Sequence, residues 1–133
     1  MTLSVSTAFV QITDPDAALE FYRDALGLTV YNDVANDGFR WITLGAPTQP
    51  GITVVLSNYV AGSPDDVRVM AELVAKGALH AVHFSAENLD ATYAGLVAAG
   101  AEVVSEPADQ PWGVRDCAVR DPSGNLLRID QRR

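Results

Sequence analysis

Val10-Gln11-Ile12-Thr13-Asp14-Pro15-Asp16-Ala17-Ala18-Leu19-Glu20-Phe21-Tyr22 is closed, after Arg23-Asp24, by Ala25-Leu26-Gly27-Leu28-Thr29-Val30. This stretch has a counterpart seventy residues on. Val82-His83-Phe84-Ser85-Ala86-Glu87-Asn88-Leu89-Asp90 leads to Ala98-Ala99-Gly100-Ala101-Glu102-Val103, with the same interval from an acidic helix cap to the glycine. Each copy reads as strand, helix, glycine stop, strand. Asp14 followed by Pro15 is an N-cap with proline at the first helical position, and Gly27 and Gly100 stand where a left-handed residue closes a helix. Ala18, Phe21, Tyr22 and Ala25 share a face of the first helix; Tyr93, Leu96 and Val97 share one on the second.

Working outward, short β-branched or alternating runs follow each helix: Leu28 to Asn32, Phe39 to Leu44 and Ile52 to Ser57, then Ala101 to Ser105, Gly113 to Val119 and Leu126 to Asp130. The order is βαβββ, twice. Asp121-Pro122-Ser123-Gly124-Asn125 is a tight turn joining the last two strands. Between the copies, Ser63-Pro64-Asp65-Asp66 caps a helix carrying Val67, Met70 and Val74 and stopping at Gly77, expected to pack on a sheet edge or a partner subunit. The expected organisation is one α+β domain over 1–133, with module one at 1–60, a linker helix at 61–78 and module two at 79–133.

The 133 residues are 48% hydrophobic, enough for a packed core without disulfides, and the 20% charged share contains no run of five or six like charges. Cys117 is the only cysteine and reads as a buried small hydrophobe. No apolar stretch approaches the roughly 18 residues of a membrane span, and Met1-Thr2-Leu3-Ser4-Val5 has no basic flank of a secretory signal, so the expected compartment is the cytoplasm, with no membrane partner. Seventeen acidic against nine basic residues give a net charge of -8, which repels a phosphate backbone and argues against nucleic acid.

The paired modules, the pattern Asp-(x)6-Phe-Tyr-(x)3-Leu-Gly-Leu in the first, and Trp112-Gly113 followed by Arg120-Asp121-Pro122-Ser123-Gly124-Asn125 in the second resemble the vicinal oxygen chelate superfamily. That superfamily includes glyoxalase I, extradiol dioxygenases, fosfomycin-resistance transferases and bleomycin-resistance proteins. The resemblance implies two βαβββ modules curved into a mixed-sheet cup, completed in a homodimer.

It also implies a test for metal. The superfamily's enzymes supply a His on the first strand seven residues before the capping Asp, a second His on the matching strand of module two, and a Glu on the last strand, leaving an open position for substrate oxygens. Here Thr7 stands at the first position, Arg128 at the last and Val55 at its equivalent in module one. The second His position counts to Ala81. If Ala81 faces the cup, strand parity turns His83 and Ser85 the same way, packs Val82 and Phe84 against the helices and points His80 away; a one-residue slip would exchange the two histidines. The expectation is therefore no metal and no cofactor.

The same parity points Phe9, Gln11 and Ser57 into the cup with Val55 and Arg128. Phe39 and Trp41 share one face of their strand, as cup or as core, and Trp112 stands at the mouth. Aromatics around a few polar groups suit a flat, partly apolar ligand. His83 reads as a wall residue or a ligand contact; Arg128 reads as an ion pair with Asp130 or a nearby Glu, or as a ligand contact. The leading expectation is a metal-free protein sequestering an aromatic antibiotic or other natural product in Phe9, Gln11, Phe39, Trp41, Val55, Ser57, His83, Trp112 and Arg128. Its rivals are a glyoxalase- or dioxygenase-like enzyme, with irregular metal ligands or with His83 as base, and an accessory subunit with a filled cup.

Overall fold

The computed structural model describes residues 2–133. Its first module contains β1 (Thr7–Gln11), a helix α1 (Pro15–Leu19 continued by Glu20–Ala25), β2 (Thr29–Asn36), β3 (Phe39–Gly45) and β4 (Thr53–Ser57). The second contains β5 (Phe84–Ala86), α3 (Leu89–Ala98), β6 (Glu102–Asp109), β7 (Arg115–Arg120) and β8 (Leu126–Gln131), with α2 (Pro64–Ala75) between them. Each module forms a four-stranded mixed sheet, in the order β1-β4-β3-β2 and β5-β8-β7-β6. In both, the first strand runs parallel to the last and the other pairings are antiparallel.

α1 is two helical forms in series. Pro15–Leu19 is α-helical, capped by the Asp14 carboxylate, which accepts from Ala17 N at 3.1 Å, and Glu20–Ala25 is π-helical. The cause is visible in the comparison with α3, whose cap is the amide of Asn88, not an acid as the repeat suggested. Gly100 follows Asn88 by twelve residues and Gly27 follows Asp14 by thirteen. A π-helical turn absorbs one extra residue without displacing either end. The apolar face expected for α1 is otherwise as found, with Ala18, Phe21 and Tyr22 buried. On α3 the stripe is Leu89, Tyr93 and Leu96; Val97 lies a further 100° round the helix and is 48% exposed.

The helix-facing strand residues Val10, Ile42, Leu44, Val54 and Leu56 of the first sheet, Ile12 just past β1, and Cys117, Val119, Leu127 and Ile129 of the second join α1 and α3 in one core. Cys117 is fully buried, as its isolation in the sequence suggested. The modules are stitched at the Asp121–Asn125 turn. Asn125 Nδ2 donates to the Gln11 carbonyl at 2.7 Å, Thr13 N to the Ser123 hydroxyl at 3.0 Å, and the Tyr22 phenol to Asp121 Oδ2 at 2.6 Å.

The strand limits differ from the sequence runs by a residue or two, and by four at the ends of β2 and β6. β2 and β6 are edge strands that extend to Asn36 and Asp109, through mostly exposed residues that no burial pattern marks, and both carry register shifts. β5 begins only at Phe84. The β2–β3 hairpin turns on Asp37-Gly38, both at positive φ, the pairing that a two-residue turn of this hand demands.

α2 is capped reciprocally by Ser63 and Asp66 and buries Val74. It packs on the Asp121–Asn125 turn, where a side chain on Gly124 would collide with the Val74 carbonyl. No helix among the described residues is long and apolar enough to cross a membrane.

Candidate functional site

Because the two helix-bearing faces share one core, each sheet has an opposite face that carries no helix of its own module. On the first sheet the register places Thr7 beside Thr53, Phe9 beside Val55 with Thr43 on the far side of Val55, and Gln11 beside Ser57 with Trp41 on the far side of Ser57. Phe9 is 64% exposed and Trp41 40% exposed, and their rings meet edge to face at 5.6 Å. Phe39 makes a second edge-to-face pair with Tyr59 at 5.3 Å, and Val55 and Ser57 are buried beneath these neighbours. The expected first-module set Phe9, Gln11, Phe39, Trp41, Val55 and Ser57 is therefore gathered on one face, with Tyr59 added. Trp41 and Phe39 belong to that face rather than to the core. The Ser57 hydroxyl is committed to Tyr59 N at 3.0 Å.

α2 closes one end of this face. Val67 and Ala71 form a cavity of about 210 Å³ with Gln11, Phe39 and Asn58. The linker helix thus borders the strand ends across this cavity and touches the Asp121–Asn125 turn within its own chain.

The second sheet contributes a polar face. Ser85 lies opposite Asp130, Asp130 opposite Asp116, and Arg128 opposite Ala118. The Ser85 hydroxyl donates to Asp130 Oδ1. Arg128 does not pair with Asp130: its Nη1 reaches Asp116 Oδ2 at 3.2 Å, and Gln110 Nε2 donates to Asp116 Oδ1 at 2.9 Å. Asp116 was not singled out from the sequence; its signal is a carboxylate preceding the apolar run Cys117-Ala118-Val119, on the parity of Ala118. Trp112 stands 65% exposed on the turn that follows Gln110. Burial pushes the Cys117 thiol pKa up, Asp116 adds to this, and Arg128 opposes it.

The histidines resolve as a register effect. His80 bridges Leu126, whereas Phe84 pairs with Ile129, so four residues on one chain face three on the other. The extra residue turns Ala81 onto the core with Val82, Phe84 and Ala86, contrary to the expected cup-facing Ala81. His83 and Ser85 are exposed, as is His80.

Residues 4–129 match the sequence profile of the Glyoxalase/Bleomycin resistance protein/Dioxygenase superfamily. The chain belongs to that superfamily. It is 33% identical to YurT of Bacillus subtilis over 99% of this chain and 100% of YurT. Among solved structures, UcmS2 matches with a TM-score of 0.85 at 31% identity, covering 98% of both chains. TnmS3, described as an antibiotic binding protein from Streptomyces sp. CB03234, matches with a TM-score of 0.74 at 26% identity over 100% of this chain and 99% of TnmS3.

The divalent metal held by enzymes of this superfamily does not fit the residues present. Val55 offers no donor atom and is 3% exposed, and Arg128 is a cation already bound to Asp116. Among the described residues, no three His, Cys, Asp or Glu side chains gather where they would hold an ion.

Proposed function

We propose that this protein is a metal-free binding protein that sequesters a flat, partly apolar small molecule in a cup completed by a second copy of the chain. The observation that carries the reading is the pair Phe9 and Trp41, two large rings held open to solvent on a face whose opposite side is the core. Exposed aromatics in contact on a rigid strand pair are costly to leave wet and give up that cost when a planar ligand stacks on them. The polar face of the second sheet, with Arg128, Asp116 and Asp130, is the complementary wall. Within one chain the two faces lie on opposite modules of a shared core, so a two-fold related copy supplies the second wall.

Sequestration requires affinity and no chemistry. The antibiotic-binding description of TnmS3 supports a natural product as the ligand class by analogy. The test is incubation of excess protein with bleomycin or with the anthracycline daunorubicin, followed by denaturation and mass analysis of the released compound. Retention and release of unchanged ligand support the proposal. Release of a modified product, dependent on His83, would replace it with the enzyme reading.

A further inference from the structure

Asp116 is a charged residue in an unusual place. It is 5% exposed, lies in β7 next to the fully buried Cys117 and Ala118, and spends both carboxylate oxygens on side chains. Burying a carboxylate is costly even when it is paired, and an apolar side chain at such a strand position would be at least as good for stability. The two bonds it makes point to what it is for. One runs to Arg128 on β8, whose side chain is 38% exposed on the open face. The other runs to Gln110, the first residue of the turn that carries Trp112.

That turn has little else to hold it. Gln110 N donates to the Val114 carbonyl at 2.7 Å, Gly113 N donates to the Gln110 carbonyl at 3.0 Å, and Gly113 adopts φ 89°. Arg133 Nη2 holds the Gly113 carbonyl from outside at 2.8 Å. Asp116 is therefore one of two side-chain ties on this turn, with Arg133 the other, and the one that reaches into the buried sheet; the same carboxylate orients the guanidinium. Asp130, directly opposite Asp116, accepts from the Ser85 hydroxyl at Oδ1, while Arg128 bonds to Asp116.

We infer that Asp116 is a positioning residue that sets Arg128 and the Trp112 turn as one unit, so that the unpaired edge of the guanidinium meets a hydrogen-bond acceptor of the ligand beside the Trp112 ring. This rests on the proposed binding function and narrows it: the ligand is an aromatic compound bearing a carbonyl, quinone or carboxylate oxygen. Among the described residues only Nη1 of Arg128 is engaged, on one carboxylate oxygen, which leaves donors on the outer edge of the fork for such an oxygen.

The test uses two neutral probes of matched shape, 2-acetylnaphthalene, which carries the acceptor, and 2-ethylnaphthalene, which lacks it. The wild-type protein is expected to bind the ketone about tenfold more tightly, the discrimination of one charge-assisted hydrogen bond. Asp116→Asn and Arg128→Ala should each bring the two affinities together, and the double variant should lose no more than either single one. Asp116→Glu, which restores the charge, should recover part of the preference. A second measurement needs no ligand: in a Trp41→Phe background, time-resolved fluorescence anisotropy of Trp112 should show faster local motion in Asp116→Asn and in Gln110→Ala, while Gln110→Ala keeps the ketone preference if Arg128 stays paired. A ketone preference that survives Asp116→Asn, or Trp112 motion unchanged in that variant, overturns the inference. If the wild-type protein binds neither probe, the acceptor recognition falls together with the proposed aromatic cup, and the anisotropy alone decides whether Asp116 positions the turn.

Discussion

The phenol of Tyr22 donates to the carboxylate of Asp121 at 2.6 Å, joining the helix of one module to the closing turn of the other in the buried centre of the chain. Asp121 also accepts from the backbone amides of Ser123, Gly124 and Asn125 and from the Asn125 side chain, so its charge is met entirely by donors. The turn that reads as a hairpin loop in the sequence is in this way the seam between the modules.

Removing the phenol oxygen with Tyr22→Phe leaves Asp121 its remaining donors and should cost about 1–3 kcal/mol, measured by urea unfolding. Asp121→Asn should cost more, because the amide replaces an acceptor with a donor facing Asn125. An unchanged midpoint in both variants would remove the seam from the stability account.

Burial, and after it the neighbouring Asp121 charge, hold the Tyr22 pKa well above the ordinary tyrosine value. The folded state thus keeps a proton that the unfolded state releases near pH 10, and the sign follows. This contribution is fully present below the unfolded value and is lost as pH rises through the folded one. Stability should fall steeply above about pH 10, and the Tyr22→Phe variant should show a shallower alkaline limb. Tyrosinate absorbance recorded with unfolding checks both.

Cys117 should resist thiol reagents in the native state. It is fully buried, and burial raises its pKa, so neither access nor thiolate is available. Aromatic disulfide reagent should titrate one thiol at the rate of protein opening and at once in denaturant.

Replacing Phe9 or Trp112 with Ala should barely move the unfolding midpoint, because both side chains are mostly exposed. Each should weaken binding of daunorubicin by about 1–3 kcal/mol, the cost of a lost stacking wall. Unchanged affinity would take that residue out of the site.

Much of the fold is legible in the chain because its signals are local and doubled. Asp14-Pro15 with Gly27, Ser63-Pro64 with Gly77, and the Asp121–Asn125 turn each state a boundary in residue types that only those backbone shapes favour. The single-residue events are harder to read. The π-helical turn at Glu20–Ala25 and the slip between His80 and Phe84 each insert one residue, and insertion changes side-chain direction without changing composition. The first-sheet face could be read by alternation from Phe9 to Ser57, because strand parity there is unbroken. The partner of Arg128 could not, since the choice between Asp116 and Asp130 is made by side-chain geometry across two strands and not by spacing.

Native mass spectrometry of the protein, alone and with daunorubicin, tests the central claim most directly, because one spectrum reports oligomer, ligand and metal together. The account predicts twice the chain mass, no stoichiometric metal after exposure to zinc, nickel, iron or manganese, and increments equal to intact daunorubicin. A monomer that retains no ligand, one ion held per chain, or an increment of altered mass would contradict it.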